Sequence, residues 1–294
     1  MTGAGGFVGR HLVPRLESGG YAVHAADLEL DVADPNAVAA AVRDGAPELI
    51  VHLAAISSVP DALRDPGRAY TVNFLGTRSV LEAARSHAPQ ARVLLVCSAD
   101  AYGSARTGAA PFDETAPLHP GSPYARTKAA AEALGRAYAQ RGLDVVCTRS
   151  FNHTGAGQTP AFVLPSFAKQ AAEIRAGHRE PVLHVGNLDS VRDFLDVRDV
   201  VDAYVRLSDR GVPPGVYNVA SGRGVRIGDA LDKILQAAGV TPEIVVDPDR
   251  FRATDVAVGD ASRLRAATGW EPETPLADTL RALVQDWQNR IGAP

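Results

Sequence analysis

The sequence predicts an α/β protein built on a doubly wound parallel sheet. Three observations predict it. A glycine-rich loop precedes a helix at the N-terminus. Short apolar runs then alternate with helical segments as far as Arg149. A strand–loop–helix unit from Ser98 to Lys128 gathers a serine, a tyrosine and a lysine.

The elements support this in order. Thr2-Gly3-Ala4-Gly5-Gly6-Phe7-Val8-Gly9 spaces glycines at Gly3, Gly6 and Gly9, with Phe7 and Val8 between them. Such a loop turns sharply and brings backbone close to a pyrophosphate at the N-terminus of the following helix, Arg10 to Ser18. A plain structural turn would also explain the glycines. Tyr21 to Ala26 reads as a strand, and Asp27 ends it. An acid there holds a ribose 2′-hydroxyl and repels a 2′-phosphate, which favours NAD(H) slightly over NADP(H). The alternative is a strand-end turn residue. A strand of ~5 residues should precede the glycine loop, yet only Met1 and Thr2 do. The expectation is a central strand that is mostly absent, from a chain truncated or started too late.

Asp31-Val32 lies in a short loop that flanks an adenine in this arrangement. Asp34-Pro35 supplies an N-cap and first-turn pair for a helix to Arg43. Glu48 to Ala54 reads as a strand ending in His52-Leu53-Ala54-Ala55, whose small residues let a cofactor lie close. His52 reads as a packed strand residue. A long helix is expected from Pro66 to Ser86, with Asn73 and Gly76 in its middle as a sign of close packing. Val93 to Cys97 is a buried strand closed by Ser98. A proline-punctuated loop from Ser104 to Gly121 follows, then a helix from Ser122 to Gln140 and a strand from Leu143 to Arg149.

Tyr124 and Lys128 stand four apart and share one helix face. A phenol titrates near ~10 when free, and a neighbouring ammonium lowers that value. Ser98 can donate to the same substrate oxygen. The set suits carbonyl/alcohol redox chemistry, with the proton on Tyr124 and the hydride on a nicotinamide. A Tyr-x-x-x-Lys pair also occurs as an ordinary surface i,i+4 contact.

Composition narrows the classes. The chain has 294 residues, 46% hydrophobic and 22% charged, with a net charge of −4 and scattered basic residues. It shows no nucleic-acid or membrane footprint, and no apolar run approaches the ~20 residues of a membrane helix. Cys97 and Cys147, both in predicted strands, read as core residues of a reducing compartment. The expectation is therefore a cytoplasmic protein with no metal site.

Longer motifs carry a resemblance. The glycine loop, His52-Leu53-Ala54-Ala55, Asn73 with Gly76-Thr77, Ser98 with Tyr102-Gly103, and Tyr124-x-x-x-Lys128 resemble an extended short-chain dehydrogenase/reductase of the nucleotide-sugar type, a Rossmann fold. Arg149-Ser150-Phe151-Asn152-His153-Thr154-Gly155, Leu164 to Gln170, Val185-Gly186-Asn187-Leu188-Asp189, Val191 to Val200, Tyr217-Asn218-Val219 and Thr268-Gly269-Trp270 narrow it. They resemble GDP-mannose 4,6-dehydratases and GDP-4-keto-6-deoxymannose reductases.

The resemblance implies roles. Gly3, Gly6 and Gly9 would cradle the cofactor, with Asp31 and Val32 at the adenine and Leu53, Ala54, Ala55 and Asn73 beside it. Tyr124 would be the acid/base and Lys128 its partner, also reaching the nicotinamide ribose. Asn152, Lys169, Val185, Asn187, Arg192 and Arg252 would line the GDP-sugar pocket. Surface charges at Lys169 and Arg252, and an Arg192–Asp193 pair, are the plainer readings. Ala253 stands where the family usually has proline. The resemblance also implies a homodimer through a four-helix bundle of Pro66–Ser86 and Tyr124–Gln140. It implies a cofactor lobe over 1–152 and a smaller mixed α/β substrate lobe over 153–294, with returns near 190–205 and 255–270.

A 4,6-dehydratase typically uses a threonine–x–glutamate set at the end of the fifth strand. Here the run is Ser98-Ala99-Asp100, whose aspartate is one methylene shorter, and a misplacement of an ångström costs ~100-fold. The favoured expectation is NAD(P)H-dependent reduction of the C4 keto group of a GDP-4-keto-6-deoxy-hexose, giving a GDP-rhamnose type product. Many reductases of this group use NADPH, which cuts against Asp27. A GDP-mannose 4,6-dehydratase with Asp100 as an added acid/base, another nucleotide-sugar epimerase, and a non-enzymatic nucleotide-binding relative are the alternatives. Seven-carbon GDP sugars fit the same motifs. The C-terminal helix Leu276 to Arg290 reads as packing through Leu280, Leu283 and Trp287.

Overall fold

The computed structural model describes residues 1–105, 108–248 and 255–292. Helix α1 (Phe7–Ser18) follows the glycine loop, α2 (Pro35–Gly45) precedes strand β1 (Leu49–His52), and α3 (Val59–Arg64), α4 (Pro66–Tyr70) and α5 (Gly76–His87) lead to β2 (Arg92–Ser98). Helix α6 (Pro123–Ala139) precedes β3 (Asp144–Ser150) and β4 (Asn152–Thr154). Then come α7 (Val163–Arg175), β5 (Val182–Val185), β6 (Val191–Asp196), α8 (Val197–Leu207), β7 (Gly215–Val219), β8 (Gly224–Arg226) and α9 (Ile227–Ala238). β9 (Glu243–Val246), β10 (Val256–Ala257), α10 (Ser262–Thr268) and α11 (Leu276–Gly292) complete the described chain.

The main sheet runs β1-β2-β3-β7, all parallel. Strand β2 shows why an unbroken apolar run is a strand here. Leu94 faces one core with Leu12, Leu16, Val200 and Tyr204. Val93, Leu95 and Cys97 face a second core with Val38, Val42, Leu81 and Tyr138. Helices cover both faces, so both alternate sets must be apolar. A third core joins α7, α9 and α11 around Leu164, Phe167, Leu231, Ile234, Leu283 and Trp287. Strand β6 pairs with β4, β8 and β10 in a second sheet, and β5 pairs with β9.

Several expectations change. Helix α1 begins at Phe7 rather than Arg10, because the glycine loop is tighter than its spacing suggests. Tyr21 to Ala26 forms no ladder. Thr2 alone represents the central strand, bridging Ala26 on one side and His52 on the other. Met1 adds a carbonyl to the Ala26 N–H at 2.8 Å and its amino group to the His24 carbonyl at 2.7 Å. A ladder needs a partner residue for residue, and Tyr21–Ala25 meets too few. A cavity of about 1010 Å³ lies beside it, walled by Leu16, Val23, Val38, Val42, Leu49 and Val51. The helix expected from Pro66 to Ser86 is interrupted by a π-turn over Thr71–Leu75. There Asn73 turns inward and Gly76 lies against Val32, where a Cβ would stand 2.7 Å from Cγ2. Strand β7 returns to the main sheet beside β3, a return that the spacing did not reveal. Asp34 caps α2 and Ser122 caps α6 through their side-chain oxygens.

His52 is held inside the fold. Thr2 Oγ1 lies 2.7 Å from Nδ1 and Thr77 Oγ1 3.2 Å from Nε2. Thr77 already donates to the Asn73 carbonyl at 2.7 Å, so Nε2 carries the ring proton and Thr2 donates to Nδ1. Burial, then the Lys128 charge, lower its pKa from 6.5 to about 3. The unfolded chain therefore binds one more proton between those values, and stability rises with pH across that window. Acidification from 6.5 towards about 3 should remove stability at up to ~1.4 kcal/mol per pH unit from this group. Denaturant unfolding of His52→Gln should show a flatter pH dependence in that window. An unchanged slope would sink this assignment.

Candidate active site

The sheet's strands end at one crevice. The chain leaves Thr2 for Ala26 on one side, then crosses to β1, β2, β3 and β7 on the other. Ligands of doubly wound sheets lie where the order reverses in this way. A cavity of about 870 Å³ opens there. Its wall includes Gly3, Gly6, Phe7, Val8 and Gly9, then Asp27, Asp31 and Val32, then Leu53, Ala54 and Ala55. Ser98, Asp100, Tyr124, Lys128, Asn152 and Arg192 complete the predicted residues on it.

The glycine loop packs closely against its own chain beside the cavity. Gly3 sits at φ 70°, and a Cβ there would stand 2.7 Å from the Ala54 nitrogen. A Cβ at Gly9 would stand 2.3 Å from the Ala4 carbonyl oxygen. Gly6 is the N-cap of helix α1 and offers no side-chain cap, so the helix's first N–H groups are left open beside the cavity. An anion fits that end. The Asp27 carboxylate lies over the loop, with Oδ2 2.2 Å from where a Gly5 Cβ would be. Glu29 Oε1 accepts from the Asp27 N–H at 2.7 Å, which adds a second carboxylate there. A dinucleotide fits these walls, with its pyrophosphate at the loop and one ribose at Asp27.

At the other end stand the reactive groups. Ser98 ends β2, and its Oγ accepts from the Asp100 N–H at 3.2 Å, opening a turn of 3₁₀ helix. Tyr124 is in the first turn of α6 and lines the same cavity as Ser98. Lys128, one turn on, is buried and donates from Nζ to the Val96 carbonyl at 2.8 Å. The expectation that Lys128 lowers the phenol's pKa is not met in this structure. Burial and then the Asp100 charge push Tyr124 above its ordinary value of 10. Burial in turn lowers Lys128 and raises Asp100. The phenol thus holds its proton more firmly than a free tyrosine does.

Asn73 is off the wall and acts as a brace. Its Oδ1 accepts from the Ile56 N–H at 2.7 Å, and Nδ2 donates to the Ile56 carbonyl at 3.1 Å and to Thr127 Oγ1 at 3.0 Å. Thr127 donates to the Tyr124 carbonyl at 2.8 Å. A buried chain thus runs from Thr2 through His52, Thr77, Asn73 and Thr127 to the Tyr124 carbonyl in the first turn of α6.

Other predicted residues fall elsewhere. Lys169 pairs with Glu173 at 3.5 Å and lies over the Trp287 ring at 5.9 Å, off the cavity wall. Val185 is buried in the third core, where its strand pairs with β9. Asn187 Oδ1 accepts from the Asp189 N–H at 2.8 Å, and Asn187 is not on the wall. Arg192 pairs with Asp255 at 2.5 Å rather than with Asp193. Asp193 instead accepts from Ser221, Gly222 and Gly259. Arg252 lies outside the described residues. Sequence reading missed Ile56 to Pro60, Arg68, Ser150, His153, Gln158 and Tyr204 on the wall. Of these, only Ser150 and His153 stand in a motif quoted above, on either side of Asn152.

A family model described as GDP-mannose 4,6 dehydratase matches residues 27–283. The chain belongs to this family. It is similar to the GDP-6-deoxy-D-mannose reductase of Pseudomonas aeruginosa, with 37% identity over 99% of this chain and 97% of that protein. Among solved structures, RMD from Pseudomonas aeruginosa complexed with NADPH matches at a TM-score of 0.88 and 37% identity, covering 98% of this chain and 97% of that one. The UDP-glucose 4-epimerase of Thermus thermophilus in complex with NAD matches at 0.86 and 28% identity, over 100% of this chain and 98% of that one. The extended Rossmann architecture inferred from the motifs is thus the family's fold.

Proposed function

We propose that this chain is a nicotinamide-dependent reductase of the C4 keto group of a GDP-4-keto-6-deoxy-hexose, giving a GDP-6-deoxy-hexose. The observation that carries this reading is the gathering of Ser98, Tyr124 and Lys128 on one cavity whose other walls are the glycine loop, Asp27, Asp31 and Val32. The full-length similarity to a GDP-6-deoxy-D-mannose reductase supports the substrate class. Gly3, Gly6, Gly9 and the start of α1 would hold the pyrophosphate, Asp27 a ribose, and Asp31, Val32 and Ala33 the adenine. Bound there, a reduced nicotinamide supplies the hydride that adds to C4. Tyr124 gives its proton to the C4 oxygen, so the carbonyl becomes a secondary alcohol. Ser98 donates to the same oxygen and holds it in line with the phenol. Lys128 keeps a positive charge beside the phenolate that forms, which eases the transfer. Asn152 and Arg192 are the predicted substrate residues on the wall, and the Arg192 guanidinium suits a diphosphate.

Asp27 and Glu29 favour NADH, because two carboxylates at the ribose oppose a 2′-phosphate. We also propose a homodimer through α4, α5 and α6, where Tyr70 of α4 is exposed at 47%, with Leu63 of the preceding α3 exposed at 51%. A cytoplasmic setting suits free, buried Cys97 and Cys147 and a cavity fitted to a soluble dinucleotide. Among the described residues no helix is long and apolar enough to cross a membrane.

The test is a spectrophotometric assay with GDP-4-keto-6-deoxy-D-mannose and NADH. Stoichiometric loss of reduced-nicotinamide absorbance is expected, with no water elimination from GDP-mannose. A folded, NADH-binding protein that consumes none would overturn the reading, and turnover of GDP-mannose would put the dehydratase in its place.

A further inference from the structure

One acidic side chain at the reactive end of the cavity is left without a donor. The 3₁₀ turn after β2 runs Ala99-Asp100-Ala101-Tyr102 and buries Ala99, Ala101 and Tyr102. Asp100 alone in that turn is exposed. It opens, deep in the molecule, onto the cavity whose wall it shares with Ser98, Tyr124 and Lys128. Backbone contacts fix its place. The Asp100 N–H donates to Ser98 Oγ at 3.2 Å, and the Asp100 carbonyl accepts from the Gly103 N–H at 3.1 Å. The carboxylate therefore stands next to the hydroxyl that ends β2. Its charge also reaches Tyr124, where it is the second cause, after burial, of the raised phenol pKa.

Among the described residues no group donates a hydrogen bond to this carboxylate. Burial raises its pKa, and Arg192 opposes that only through its charge, because its guanidinium is bound to Asp255. A desolvated carboxyl without a donor is an incomplete site. The chemistry beside it picks the donor. A ketone oxygen only accepts, and Ser98 and Tyr124 bring hydroxyl donors to it. A carboxylate also only accepts, so Asp100 needs a donor on the substrate. In a 4-keto-6-deoxy-hexose the reacting C4 lies between C3 and C5. C5 carries a hydrogen, the ring oxygen and the methyl carbon, none of which is a donor. C3 carries a hydroxyl.

We propose that Asp100 accepts a hydrogen bond from the C3 hydroxyl of the substrate, so that the site selects sugars carrying a hydroxyl next to the ketone. The proposal rests on the reductase reading of the cavity. Asp100 is a specificity-determining residue in this scheme and moves no proton. The C4 oxygen on Ser98 and Tyr124, and the C3 hydroxyl on Asp100, hold two adjacent ring substituents at once. Two such points fix how the ring is turned about C4, and so which face meets the hydride.

The test compares GDP-4-keto-6-deoxy-D-mannose with its 3-deoxy analogue as substrates of the full chain, with NADH in excess. The wild-type protein should favour the sugar with the C3 hydroxyl by ~10–100-fold in kcat/KM, the scale of a hydrogen bond to a charged group. Asp100→Ala should bring the two sugars to nearly equal kcat/KM. Asp100→Asn keeps the shape and one acceptor oxygen but loses the charge, so its ratio should fall between the two. Any effect of the Asp100 charge on Tyr124 is common to both sugars and cancels in the ratio. The NADH affinity of each variant checks that it is folded, and the isosteric Asp100→Asn carries the comparison if the alanine variant fails that check. Equal kcat/KM of the two sugars with the wild type would overturn the proposal. So would a folded variant that keeps the wild-type ratio. A wild-type protein that binds NADH and reduces neither sugar would overturn the reductase reading itself, and the proposal with it.

Discussion

Tyr124→Phe is expected to lower the rate constant for carbonyl reduction by ~10²–10⁴-fold while leaving NADH affinity nearly unchanged. The substitution removes one oxygen and the only proton that the phenol can give. The ring still fills its place at the start of α6, whose cap at Ser122 is untouched. Burial and the Asp100 charge push the Tyr124 pKa up, so its proton is retained through the neutral range. Any fall in rate caused by loss of that proton must therefore lie on the alkaline side of 10. Single-turnover oxidation of NADH at several pH values measures both effects. If the variant keeps a tenth of the activity or more, the proton comes from elsewhere. Asp100, a buried carboxyl of raised pKa on the same wall, would be the next donor to examine.

Asp27→Ala is expected to move the preference between NADH and NADPH towards NADPH by ~100-fold in kcat/KM. The carboxylate lies over Gly5, at the edge of the glycine loop, where the adenosine ribose would rest. A charge-assisted hydrogen bond to the 2′-hydroxyl contributes ~1.5–3 kcal/mol, and its loss weakens NADH by a factor of that scale. Removing the carboxylate also removes its repulsion of a 2′-phosphate. Glu29 remains, so the variant should not reach the preference of a site with a basic residue there. Steady-state kinetics with each dinucleotide would decide. A wild-type protein that already prefers NADPH would refute the reading.

The legible part of this site is the part encoded over short distances. Gly3, Gly6 and Gly9 stand within one turn and its helix, and Tyr124 and Lys128 within one turn of α6. Their spacing alone puts them on one face. The rest depends on contacts far apart in the chain. Tyr21 to Ala26 has the pattern of a strand, but a strand requires a neighbour, and Thr2 supplies only one bridge. Asn73 looks like a cavity residue until the π-turn aims it at Ile56 and Thr127. Lys169 and Val185 follow motifs of the resemblance, yet one pairs with Glu173 and the other is buried in the third core. The pairing of Arg192 with Asp255 spans 63 positions and leaves no local trace. Gln158 belongs to the same class, since only the folded turn sets its amide against the His153 carbonyl at the cavity wall.

Residues 21–33 and the paired strands of the main sheet differ in how their backbones are held. Residues 21–33 carry Asp27, Asp31 and Val32 but meet the sheet's backbone through little more than the Ala26 bridge. Strands β2 and β3, by contrast, are paired along seven residues. Amide hydrogens in the first stretch should therefore exchange through a local opening far less costly than unfolding of the second. A dinucleotide that touches the glycine loop, Asp27 and Tyr124 at once would clamp the loose stretch to the firm one. Part of its intrinsic affinity is then consumed in ordering protein, and the cofactor becomes a structural member of the sheet as well as a reagent.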